Sequence, residues 1–128
     1  MLLQAVLASA TALALVPASL GGSPRSLAVA ATTLALGLGL HVVMLLGQFG
    51  MRHATDNAHY AARLITQGPF RRLFWRGAVL LGGVLPALLL LIGWSHAGLV
   101  GLAGVLALTG MLAYEWCFVM AGQGVPNS

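Results

Sequence analysis

Residues 78–122 read AVLLGGVLPALLLLIGWSHAGLVGLAGVLALTGMLAYEWCFVMAG, and this segment is the clearest indicator of the fold class. It contains one carboxylate, Glu115, and no lysine or arginine. A helix needs about 20 mostly apolar residues to cross the ~30 Å hydrocarbon core of a bilayer. The stretch therefore predicts two transmembrane helices, about 78–94 and 99–122, separated by the polar turn 95–98.

Two more apolar stretches precede it, about 2–20 and 27–50, and the turn Gly21-Gly22-Ser23-Pro24 separates them. Lipid offers no hydrogen-bond partner to a backbone, so each stretch is expected to be a helix. We predict an all-α integral membrane protein whose residues 1–128 form a single four-helix membrane domain. The alternative for the first stretch is a cleaved signal peptide, but it lacks the positively charged start of such peptides.

The composition excludes several classes of protein. Apolar residues make up 59% of the 128 and charged residues 6%, whereas a soluble domain has about 25% charged residues. A soluble enzyme, a disordered tail and a nucleic-acid-binding module are therefore excluded. With one cysteine, Cys117, the chain alone makes no disulfide framework and no zinc or iron–sulfur site.

The connection 51–77 is the polar part of the chain. Thr55 or Asp56 is suited to cap a short helix, and Gly68-Pro69 to end it. Four apolar residues fall on one face at helical spacing: Ala58, Ala61, Ala62 and Ile65. These features predict an amphipathic helix at the membrane surface between transmembrane helices 2 and 3; a plain connecting loop is the alternative.

Charge sets the expected orientation. Five of the six arginines lie in this connection: Arg52, Arg63, Arg71, Arg72 and Arg76. By the positive-inside rule the connection lies in the cytoplasm, which places both termini there as well. We therefore expect a multi-pass protein of the bacterial inner membrane, with Arg25 alone on the far side.

Small residues predict the packing faces. Ala31, Ala35 and Gly39 recur every four residues in the second stretch, and such spacing lets helices approach closely in lipid. Pro86 predicts a kink in the third helix.

Two ionisable residues lie well inside the predicted transmembrane helices, His41 and Glu115. Intramembrane ionisable groups are costly and often functional. Counted at about 1.5 Å per residue from the cytoplasmic helix ends, both lie roughly 10–14 Å deep, so they are candidates for a paired proton site. In the alternative interpretation, Glu115 pairs with an interfacial arginine and His41 hydrogen-bonds a backbone carbonyl.

Gln48 extends the face of His41 toward the cytoplasm, and with Tyr114 and Trp116 it completes the candidate proton or quinone residues. Several aromatic residues collect at the same interface: Tyr60, Phe70, Phe74, Trp75, Tyr114 and Trp116. An ordinary aromatic belt explains them; a mouth for a quinone head is the alternative. No second histidine lies inside a predicted transmembrane helix, so we expect no haem, and no metal site, in this chain.

Several motifs are spread over about the last 90 residues: 53–57 (HATDN), 61–69 (AARLITQGP), 74–77 (FWRG), Gly83, Pro86, Glu115 and 121–128 (AGQGVPNS). Together they resemble the membrane-anchor family of the polysulfide reductase and NrfD type. Members have eight or more membrane helices in two bundles, so four helices match the C-terminal half. In the family the described quinone pocket lies mainly in the other half.

The resemblance implies a function in anaerobic respiration. The chain would be a whole or partial membrane-anchor subunit of a quinone-linked oxidoreductase, without catalytic residues of its own. Its partners would be a ferredoxin-like iron–sulfur subunit and a molybdopterin or cytochrome catalytic subunit, and its cofactor a quinone or quinol. A small four-helix transporter and a purely structural assembly protein are the alternatives.

Overall fold

A computed structural model describes residues 2–50 and 55–125, and over these residues the structure consists of helices joined by turns. There are five helices, with tight turns between α1 and α2 and between α4 and α5. Their bounds are α1 Leu2–Leu20, α2 Pro24–Gly50, α3 Asp56–Thr66, α4 Leu73–Gly93 and α5 Ala97–Gln123.

Three of these helices, α2, α4 and α5, are long and apolar enough to cross a membrane. The expectation of an all-helical fold is thereby confirmed, and these three helices are candidate membrane spans. The first helix has a shorter apolar part, Gln4–Val16, so a fourth transmembrane helix stays a prediction.

Helix α4 begins earlier than the hydropathy pattern predicts, at Leu73 instead of 78. The chain turns at Gly68-Pro69, where the Arg71 N–H donates to the Gly68 carbonyl (3.1 Å), and then continues directly as a helix. The hydrophobic Phe74 is buried in its first turn. The polar connection is therefore shorter than expected, because the Phe-Trp-Arg-Gly segment belongs to the helix.

The first part of α4, Leu73–Val84, is π-helical, and the rest, Leu85–Gly93, is α-helical. The two parts meet where the Leu85 N–H donates to the Leu80 carbonyl, five residues back. Pro86 has no N–H to continue an α-helical pattern toward the preceding turn. Such wide helical turns are rare and frequently occur at functional sites.

Helix α1 packs between α2 and α5. Leu7, Ala10 and Ala14 are buried in this core, as is Thr11. The Thr11 hydroxyl donates to the Leu7 carbonyl (2.8 Å) and approaches the Gly104 carbonyl of α5 (3.3 Å), so a polar contact joins the first helix to the last.

Helices α4 and α5 cross at two glycines. A Cβ atom added to Gly82 would lie 2.4 Å from the Cα of Gly110, and one added to Gly110 would lie 2.0 Å from the Cα of Gly82. The two backbones are therefore in direct contact, an arrangement that small residues permit in membrane helices.

The predicted amphipathic helix is confirmed as α3. Thr55 is its N-cap, and its side chain accepts a hydrogen bond from the Ala58 N–H (3.3 Å). Its apolar face packs on protein: Ile65 is buried in a cluster with Phe74 of α4 and Cys117 of α5. Helix α3 therefore closes one end of the bundle.

Candidate functional site

A groove of about 940 Å³ lies between α2 and α4. It arises because α2 packs mainly on α1, while α4 packs mainly on α5. Its walls run from Gly50 and Trp75 at one end to Ala35 and Trp94 at the other. The groove therefore follows most of the length of both helices.

Glycines keep the groove open. A Cβ atom on Gly39 would meet nothing within 4 Å, and one on Gly83 would meet only the Ala78 carbonyl, at 3.9 Å. Both glycines line the groove. Nearly all the other lining side chains are apolar, so the site suits a hydrocarbon.

His41 is the ionisable residue in the wall of the groove. It lies on the buried face of α2, which also carries Leu34 and Leu38, and is only 6% exposed. Its Nδ1 atom is buried and has no hydrogen-bond partner among the described residues. A buried polar atom without a partner costs about 1–3 kcal/mol, so this imidazole is suited to bind a group that comes from outside the chain.

The aromatic ring of Tyr114 packs against the imidazole of His41. The two rings meet edge to face, with centroids 5.6 Å apart and an interplanar angle of 88°. The Tyr114 hydroxyl donates to the Gln48 side-chain oxygen, which ties α2 to α5. Three of the predicted candidates, His41, Gln48 and Tyr114, are therefore brought together.

Glu115 takes a different direction from Tyr114, because consecutive residues on an α-helix point about 100° apart. It is half-buried, and no hydrogen bond or ion pair joins it to His41 within the described part of the chain. The ring beside His41 is that of Tyr114. The predicted proton pairing of His41 with Glu115 stays a prediction. Trp116 is 61% exposed and does not line the groove.

Aromatic side chains form one end of the groove. Phe49 and Phe74 lie 5.0 Å apart, centroid to centroid, and Phe74 and Trp75 lie 5.3 Å apart. The Trp75 indole N–H donates to the Thr66 carbonyl of α3 (3.2 Å), which fixes the ring. Of these rings the sequence suggested Phe74 and Trp75. It did not suggest Phe49 or Trp94, because the sequence around an aromatic residue at a helix end does not show which neighbouring helix its ring will contact.

Four of the five predicted surface arginines lie in the described part of the chain, and all four are exposed. None of them makes an ion pair with another described residue. They are Arg63, Arg71, Arg72 and Arg76. Arg52, and the adjoining His53, lie outside the described residues.

Within residues 2–50 and 55–125, no three His, Cys, Asp or Glu side chains form a group able to hold a metal ion. Comparisons with protein-family models, with curated proteins and with solved structures found no match.

Proposed function

We propose that this chain is a membrane-anchor subunit, whole or partial, of a quinone-linked respiratory oxidoreductase in a bacterial inner membrane. Helix α1 would be its fourth transmembrane helix, and both termini would face the cytoplasm. Its partners would be a ferredoxin-like iron–sulfur subunit and, through it, a molybdopterin or cytochrome catalytic subunit.

One observation carries the proposal: the end of the bundle closed by α3 presents four exposed arginines without carboxylate partners in the described chain. Uncompensated positive charge on a structured surface favours a partner with an acidic surface. Two of the segments that resemble the NrfD type, 61–69 and 74–77, lie at this same end. Thr66 and Trp75, both within those segments, are hydrogen-bonded to each other, which supports a role for these segments in shaping the docking surface.

Charge reversal tests the docking surface. We expect the triple variant Arg71→Glu, Arg72→Glu, Arg76→Glu to retain about 30-fold less iron–sulfur protein during purification in mild detergent. Reversal replaces attraction with like-charge repulsion, and about 2 kcal/mol corresponds to this factor. The measurement is the iron content and visible absorbance of the purified complex.

Arg25→Glu is the matched control, because Arg25 is exposed at the other end of the bundle. It should retain the partner as the unmodified chain does. Equal retention in the triple variant would refute the docking surface. A self-dimer that exchanges cations for protons, with no iron–sulfur partner, would favour the transporter, and partners that work without quinone would favour a structural assembly protein.

Topology gives a second test. We expect a cysteine at Ser23 to react with a membrane-impermeant maleimide added outside, and a cysteine at Asn57 not to react. Both positions are exposed, in the α1–α2 turn and in α3, and the native Cys117 is fully buried. The reverse labelling pattern would refute the orientation, and labelling at both positions would contradict the helix count.

A further inference from the structure

We infer that the groove between α2 and α4 binds a neutral, membrane-dissolved molecule with a hydrocarbon tail and a hydrogen-bonding head, and that the head contacts His41. Given the proposed function, on which this part rests, the molecule is an isoprenoid quinone or quinol. The site would lie within this chain and would need no residue from a second bundle.

The size of the groove suits a small molecule. It holds about 940 Å³, and small-molecule sites are typically about 300–1,000 Å³. A hydrocarbon chain with a single ring fits a site of this size.

The head group follows from His41. The His41 side chain lines the groove, and its buried Nδ1 atom has no hydrogen-bond partner in the described chain. A neutral imidazole has one nitrogen that donates and one that accepts, and either can carry the hydrogen. It can therefore donate to a carbonyl oxygen or accept from a hydroxyl, so both the oxidised and the reduced form of a quinone find a partner.

The absence of charge in the wall argues for a neutral head. No arginine or carboxylate is among the residues that line the groove in the described chain. A charged head beside His41 would be buried without a counter-ion, and this is far more costly than burying a neutral polar group. A phospholipid head group is therefore disfavoured at this depth.

The surroundings of His41 would hold the ligand in place. The Tyr114 ring packs edge to face against the imidazole of His41, and the Tyr114 hydroxyl donates a hydrogen bond to Gln48. Tyr114 and Gln48 are therefore positioning residues. Exposed lining residues such as Val42, Leu46 and Leu88 leave the groove open to the bilayer, so the ligand would enter sideways from the lipid.

Tryptophan fluorescence tests this site. Trp75 and Trp94 line the groove, and Trp116 does not. In the full chain carrying Trp116→Phe, reconstituted in phosphatidylcholine nanodiscs, decylubiquinone should quench the emission saturably. His41→Leu should weaken binding about ten-fold, the factor that corresponds to about 1.4 kcal/mol.

Gly39→Phe fills the groove and should abolish the saturable component. Gly98→Phe is its matched control, because Gly98 also has open space but lies outside the groove. Protection of Cys117 from a thiol reagent shows that each variant is folded. If His41→Leu does not fold, the difference in quinone binding between Gly39→Phe and Gly98→Phe tests the site by itself.

Quenching that rises linearly with quinone, and equally in Gly39→Phe and Gly98→Phe, would overturn the inference, since it would report only quinone dissolved in lipid. The result is independent of partner retention. Saturable binding without an iron–sulfur partner would support the quinone site and refute the anchor function. Retention of the partner without saturable binding would support the anchor function and refute the quinone site.

Discussion

Replacing Gly82 with alanine should abolish the packing of α4 on α5 and leave little folded protein. The new Cβ would lie 2.4 Å from the Cα of Gly110 and 3.0 Å from its carbonyl carbon. These are backbone atoms, so no side-chain rotation relieves the clash and the two helices must separate. Overpacking a core costs about 1–3 kcal/mol even where side chains can adjust, and we expect a larger loss here.

Cys117 offers a direct measurement of this loss. It is fully buried next to α4 in the cluster closed by α3, so a fluorogenic thiol reagent reacts with it only after the bundle opens. Gly82→Ala should react at once in mild detergent, whereas the unmodified chain should react only on heating.

The neighbouring glycine supplies the control. A Cβ on Gly83 meets only the Ala78 carbonyl, at 3.9 Å. Gly83→Ala changes the helix propensity as Gly82→Ala does, yet its unfolding temperature should stay close to that of the unmodified chain. Equal unfolding temperatures for the two variants would show that the helices do not cross at Gly82.

The second large effect is expected at the crossing of α1 and α5. Gly104→Leu should release α1 from the bundle, because even the first carbon of the new side chain would lie 2.8 Å from the Thr11 Cγ2 atom. Thr11 is β-branched and stiff, and its hydroxyl also approaches the Gly104 carbonyl. A leucine therefore destroys both the packing and the polar contact.

Release of α1 is measured with a cysteine at Ala14, which is fully buried in α1, in a chain carrying Cys117→Ala. A membrane-permeant maleimide should label it in the Gly104→Leu variant and not in the parent. Gly98→Leu on the same helix has open space and should leave Ala14→Cys protected. Protection in both variants would mean that α1 does not pack at Gly104.

Hydropathy located the helices because apolar length is a local property of the sequence. The cap at Thr55 was also visible, since a capping residue and the helix it begins are neighbours. The start of α4 was missed, because Phe74 is apolar but sits among arginines, and only its burial against α3 and α5 places it in the helix.

The spacing of small residues in α2 predicts its packing face only in part. Ala31 is fully buried, but Gly39, two steps of four residues later, is exposed. An α-helix has 3.6 residues per turn, so two such steps rotate the pattern about 80° away from the interface. Gly39 faces the groove instead.

The site itself depended on contacts that no local pattern reports. Depth alone suggested the pairing of His41 with Glu115, which stays a prediction, and it did not show that the Tyr114 ring lies beside His41. The groove was not predicted, because a gap between α2 and α4 follows from the helices on which each one packs. The crossing of Gly82 and Gly110 was hidden for the same reason.

The contact between α1 and α5 has a consequence for biosynthesis. Thr11 reaches a carbonyl 93 residues further along the chain, and α5 also completes the cluster that buries Ile65 of α3. While the ribosome is still making α5, α1 has only α2 beside it, and the apolar face of α3 has no cover from α5. Insertion of the helices therefore precedes assembly of the bundle, and an enzyme or chaperone that meets the nascent protein encounters these surfaces exposed until α5 has entered the membrane.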